Sequence, residues 1–86
     1  MAKTKYNVDD IVYAIDTFKY EHGEFTQDFY RIEKCRITSI NIDENGVRYW
    51  VENLKTKSEY DESIPESNIA FGEIEICKQL INLCKI

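Results

Sequence analysis

Alternation with a period of two runs through most of residues 8–64, and a three-and-four spacing replaces it after residue 73. In residues 10–16 (DIVYAID), Val8, Val12 and Ala14 share one parity and Ile11, Tyr13 and Ile15 the other. β-Branched and aromatic side chains suit a pleated surface, so a strand is predicted over 8–16, covered on both faces. Residues 17–27 (TFKYEHGEFTQ) read as a long loop, with Gly23, mixed charges, and Phe18, Tyr20 and Phe25 at no clean period. A second strand is predicted over 29–42. There Cys35 and Ile37 share a parity, whereas Ile40 and Ile42 share the opposite one. Side chains alternate strictly along a strand, so one extra residue near Thr38 and Ser39, a β-bulge, is needed to bring both pairs to one face.

Asp43-Glu44-Asn45-Gly46 then reverses the chain, because Asn and Gly both accept positive φ. The returning strand, 47–54, points Val47, Tyr49 and Val51 inward and Arg48, Trp50 and Glu52 outward. A polar turn at 55–58 leads to a short strand over 59–64. Pro65 ends it, since proline has no N–H for a ladder. Residues 65–72 read as a turn or a single 3₁₀ turn, with Ile69 and Phe71 tucked into the end of the body. A helix is predicted over 73–85 from Ile74, Cys77, Leu80, Ile81 and Cys84, widened by Ile76, Leu83 and Ile86. Glu73 and Glu75 at its start and Lys85 at its end suit the helix dipole. The pattern therefore predicts a mainly β domain, a five-stranded barrel with a C-terminal α-helix, spanning 1–86.

Composition sharpens this. Eighty-six residues make one small domain with a modest core. The hydrophobic fraction of 43% is too high for a disordered chain. The net charge of −5 repels nucleic acid on average, which makes sequence-independent binding to phosphates a poor fit. No apolar run is long enough for a signal peptide or a membrane span, so no membrane partner is expected. The cysteines, Cys35, Cys77 and Cys84, match no metal spacing. Cys77 and Cys84 would lie about 10 Å apart along a helix, too far for a disulfide. They read as reduced thiols of a cytoplasmic protein.

No catalytic signature is present, so no enzyme, catalytic residue, metal or cofactor is expected. His22, the only histidine, lies between Glu21 and Gly23 and reads as a solvated loop residue. Aromatic and acidic residues are present as in peptide-binding SH3 grooves and methyl-binding Tudor cages, but without the paired motifs of either. Partner-binding candidates are Trp50, set outward between Arg48 and Glu52, and the acidic run carrying Glu59, Tyr60, Asp61, Glu62 and Glu66. From Glu59 to Glu75 there are six carboxylates and no Lys or Arg, a surface suited to a basic protein partner. Packing of Trp50 beneath the helix or the 17–27 loop is the competing reading. An opposing basic patch is Arg31, Lys34, Arg36 and Arg48, which could touch phosphates or pair across strands with Glu33 and Glu52.

The run Tyr6-Asn7-Val8-Asp9-Asp10-Ile11-Val12-Tyr13, the strand Ile37, Ile40, Ile42 before Asp43 to Gly46, and Tyr60-Asp61-Glu62-Ser63 before a last helix carry a resemblance. They resemble small SH3-like barrel proteins of phages and mobile elements in low-GC Gram-positive bacteria. Those chains open with aromatic-Val-Gly-Asp-x-Val-Tyr, and Asp9 stands where their glycine is usual. The helix start here is also more apolar than theirs. The resemblance implies an SH3-like barrel in the cytoplasm of a bacterial host, and no catalytic residue. Three functions are weighed. The first is a non-catalytic protein-binding module, sharpened to an acidic inhibitor that mimics DNA and occupies a basic nucleic-acid-binding site on a host defence protein, as anti-CRISPR proteins do. The others are a nucleic-acid-associated module using the basic patch, and a structural subunit forming a homodimer through the C-terminal helix.

Overall fold

The computed structural model describes residues 4–84; the expected contributions of Lys85 and Ile86 to the helix lie outside the described residues. The elements are β1 (Ile11–His22), β2 (Phe25–Asp43), β3 (Gly46–Asn53), β4 (Ile64–Pro65), a 3₁₀ turn (Glu66–Asn68), β5 (Ile69–Ala70) and α1 (Glu73–Cys84). All five strands form one antiparallel sheet in the order β4-β3-β2-β1-β5. The expected mainly β chain with a final helix is therefore what forms. No ladder among the described residues joins β4 to β5, so the sheet is open. Its two edges nevertheless curl over one cluster, because Ile64 of β4 and Ile69 of β5 are both buried in it.

The largest correction concerns residues 17–27. They form no loop: β1 and β2 pair without interruption from Ile11 with Arg36 up to His22 with Phe25. Only Gly23 and Glu24 turn the chain. Gly23, at the first central position, has φ 64°, the sign a type II′ hairpin turn requires there. Across such a turn the aromatic alternation resumes, with Phe18 opposite Phe29 and His22 opposite Phe25. The two strands thus extend as a two-stranded arm, consistent with a molecule 45 Å long and 29 by 27 Å across.

The bulge forms where the parity argument puts it. Ile37 faces Val51 and Ser39 faces Trp50, which leaves Thr38 as the extra residue. Its hydroxyl donates to the Trp50 carbonyl at 3.1 Å. In the next hairpin only Gly46 takes positive φ, at 118°; Asn45 instead donates its N–H to Asp43 Oδ1 at 2.8 Å. An Asx turn does the work expected of a positive-φ asparagine.

The predicted strand over 59–64 shrinks to a single bridge between Glu59 and Glu52 and the two-residue β4. Arg48 explains part of this, since its guanidinium donates to Ser63 Oγ at 2.8 Å and to the Ser63 carbonyl at 2.7 Å. Pro65 lies inside β4 rather than after it, which is tolerated because β4 is an edge. The 3₁₀ turn forms as expected, and Ile69 is buried, but it belongs to a fifth strand; Phe71 stays half exposed.

The main cluster contains Tyr6, Val12, Ala14, Cys35, Ile37, Tyr49, Val51, Ile64 and Ile69. Tyr6 plugs it: its hydroxyl donates to the Ile69 carbonyl at 2.8 Å, and its ring meets Tyr49 and Phe71 edge-on. On the opposite face of β1, Ile15 packs with Ala70 and Ile76 beneath α1, which accounts for the two-sided apolar pattern of β1.

α1 is turned differently from the expected stripe. Ile76 is its only fully buried residue, with Leu80 against the same cluster. Ile74, Cys77, Ile81 and Cys84 are exposed.

Candidate functional site

Even-numbered residues of β1 point to the main core, so Val12 and Ala14 are followed on the same face by Asp16, Phe18, Tyr20 and His22. Their β2 partners are Arg31, Phe29, Gln27 and Phe25. Above Asp16 none of the described residues covers this face. Phe18 stacks on Phe29 with centroids 5.4 Å apart, Tyr20 meets Phe29 edge-on at 6.2 Å, and the Arg31 guanidinium lies 5.0 Å from the Phe18 centroid. His22 stacks on Tyr20 at 6.2 Å. Phe25 is 78% exposed and Tyr20 56%, values uncommon for aromatics in a small domain. The other face is mainly polar, with Lys19 opposite Asp28, Glu21 opposite Thr26 and, at its base, Thr17 opposite Tyr30. The arm is an amphipathic ribbon whose apolar side lacks a cover.

At the base of the arm this face opens into a groove of about 810 Å³ between β1, β2 and the segment 56–65. Asp16, Glu33, Glu59, Asp61 and Glu62 line it, against Lys19, Arg31 and Arg48. Arg31 is already neutralised by ion pairs with Asp16 and Glu33. Arg48 is held on Ser63. Glu59, Asp61 and Glu62 carry no such partner among the described residues and are exposed. The floor is Tyr60, which packs against the main cluster. The Cys35 thiol and the Tyr60 hydroxyl share a hydrogen bond at 3.4 Å. Burial, and then that contact, push the Tyr60 hydroxyl well above its ordinary range; burial also raises the Cys35 thiol, partly offset by Tyr60. Both groups are neutral floor.

The acidic candidates therefore separate. Glu59, Tyr60, Asp61 and Glu62 come together at the groove. Glu66 does not: its Oε2 accepts from the Tyr49 hydroxyl and from the Lys5 N–H at 3.2 Å, which makes it part of the fold. Trp50 does not either. It points away from the main core as its parity requires, half buried on the opposite face of β3.

The four basic candidates are not brought together. Arg31 is on the groove face; Lys34 and Arg36 are on the opposite face of β2. Arg36 is held between Asp9 and Glu52, the last as expected across strands, while Glu33 pairs along its own strand with Arg31. Lys34 sits 6.0 Å from the Tyr13 ring centroid.

No family model, curated protein or solved structure matches the chain. Among the described residues, no group of three or more His, Cys, Asp or Glu side chains could hold a metal ion, and no helix is long and apolar enough to cross a membrane.

Sequence reasoning missed Asp16, Phe18 and Glu33 as site residues. The signal was available: Phe18, Tyr20 and His22 share a parity, as do Phe25, Gln27 and Phe29, and a Gly-Glu turn between His22 and Phe25 aligns the two sets.

Proposed function

We propose that this chain is a non-catalytic protein-binding module that takes an extended, basic segment of a partner along the acidic groove and the aromatic face of the arm. The observation that supports it best is the continuity of the two surfaces. The groove, walled on one side by the exposed carboxylates Asp61 and Glu62 and on the other by the base of the ribbon, runs into the ribbon face that carries the rings of Phe18, Phe29 and Tyr20. Lys or Arg side chains of the partner would meet the groove, and apolar side chains would lie on the rings. The outer edges of the arm also help. Among the described residues, β1 beyond Ala14 and β2 before Lys34 each pair on one side only, leaving backbone groups free to add an extended strand.

The sharpened form is an acidic inhibitor seated in the nucleic-acid groove of a basic protein. An SH3-like arrangement, with both sheet edges curled onto one cluster, is the fold-level part of the proposal. The nucleic-acid alternative is less well supported, because Arg31, Arg36 and Arg48 are each engaged inside the chain.

An array of ten-residue peptides, varied in charge and aromatic content, tests the reading. The expected ligands carry Lys or Arg beside apolar residues. Their retention should fall at least tenfold between low and high salt, and be lost in the triple variant Glu59→Lys, Asp61→Lys, Glu62→Lys, whose side chains are exposed and whose folding is checked by its melting curve. Retention of neutral or acidic peptides, salt-independent retention, or unchanged retention by the triple variant overturns it.

A further inference from the structure

The second uncovered surface lies on α1, away from the groove. Ile74, Cys77, Ile81 and Cys84 are spaced three, four and three residues apart, the a and d positions of two successive heptads. Ile74 is 74% exposed and Ile81 57%. At 3.6 residues per turn, this seam lies about 100° around the helix from Ile76 and Leu80, the residues that hold α1 to the sheet. It therefore faces sideways, where a neighbour can approach without disturbing the core.

We propose that this seam joins two copies of the chain as a short parallel helix pair. Three observations select that occupant. Isoleucine fills both a positions, the β-branched choice that favours two parallel strands. Glu73 occupies the g position before Ile74, and Lys78 the e position five residues on, the spacing at which opposite charges meet across a parallel pair. Among the described residues Lys78 makes no ion pair, and Glu73 uses only Oε1, to accept from the Tyr13 hydroxyl at 2.9 Å. An antiparallel pair would instead separate Glu73 from Lys78 and set Lys78 near Lys78 of the second chain, because e then faces e. The described part of the helix is about 18 Å long at 1.5 Å per residue, and the seam on it alone falls short of the roughly 1,200–2,000 Å² of a stable interface. Pairing is then weak, expected at about 0.1–1 mM protein.

The native cysteines report the geometry. In a parallel pair each d residue faces its own copy, so Cys77 faces Cys77 of the second chain within disulfide reach, while Cys35 is buried and cannot. The experiment combines sedimentation equilibrium with mild oxidation and peptide mapping. The parent should sediment toward twice the chain mass at high concentration and cross-link like to like, as Cys77–Cys77 and Cys84–Cys84. Ile74→Glu with Ile81→Glu should remain monomeric with an unchanged melting curve, since both side chains are exposed. Glu73→Lys should weaken the pair several-fold, and adding Lys78→Glu should restore it; a merely structural role of Glu73 with Tyr13 would not be restored. A monomer mass throughout, a Cys77–Cys84 cross-link as the main product, or no recovery in the double charge swap overturns the proposal. None of these readings depends on peptide binding at the groove.

Discussion

One ladder of twelve residue pairs, β1 with β2, serves two regions of opposite character. In the lower half Val12, Ala14 and Ile15 of β1 and Cys35 of β2 are at most 1% exposed. In the upper half every residue from Thr17 to Tyr30 is exposed. Hydrogen bonding is continuous across both, so it does not make the difference. What changes is the number of neighbours. The lower half has β5 beside β1, β3 beside β2, and packing on both faces from Tyr6, Tyr49 and α1. The upper half has only itself. A two-stranded ribbon alone is marginal in water, and cross-strand pairs such as Phe18 with Phe29 supply about 0.2–1 kcal/mol each. The body should therefore unfold as one unit, and the arm should open at lower free energy.

Truncation at the two ends of the ladder breaks or sharpens this contrast most strongly. Ile37→Ala opens a cavity in the main cluster and should cost about 2–5 kcal/mol in chemical denaturation. Phe29→Ala removes a larger side chain from the arm and should cost under about 1 kcal/mol. Equal losses would mean that the arm is part of the core.

A smaller effect separates the regions by pH. Burial and then the hydrogen bond to Glu66 push the Tyr49 hydroxyl up to about 12, and Tyr6, Tyr60 and Cys35 also shift upward, each mainly through burial. Every one of these groups belongs to the body. The folded chain keeps protons that the unfolded chain gives up, so their contribution is intact below the ordinary values of 9.0 for Cys and 10.0 for Tyr and is lost as pH rises toward about 12. The melting temperature should fall across that range, and less steeply in Tyr49→Phe. A flat profile in the parent would contradict the packing of these hydroxyls.

Much of the body was legible in the sequence because burial on a known face leaves a parity. The bulge at Thr38 follows from the clash between Ile37 and Ile40, and the structure shows the register shift there. Asp9 is also informative: its φ is 75°, the left-handed region that glycine enters freely and other residues rarely. Its N–H donates to the Ile37 carbonyl and its carboxylate holds Arg36, which ties a left-handed residue to β2. The arm was illegible for the opposite reason. Its face buries nothing, so its alternation carries rings and charges rather than aliphatics and passes for a loop. The helix stripe misled differently, since it continues around two faces and only one meets the sheet. Two-residue strands such as β4 and β5 leave no pattern, being held by Ile64 and Ile69 rather than by repeats. The groove was half legible: charge marked Glu59, Asp61 and Glu62, but the opposing wall belongs to the arm.

Hydrogen exchange resolved by residue tests the central claim most directly, on the free chain and with a basic peptide retained by the array. Amides in the arm should exchange orders of magnitude faster than those of Val12, Cys35 and Val51 in the free protein. The peptide should slow exchange in the arm, from its base at Thr17 and Arg31 outward, and leave the body unchanged. Equal protection of arm and body in the free chain, with no slowing of the arm when peptide is bound, would contradict that claim.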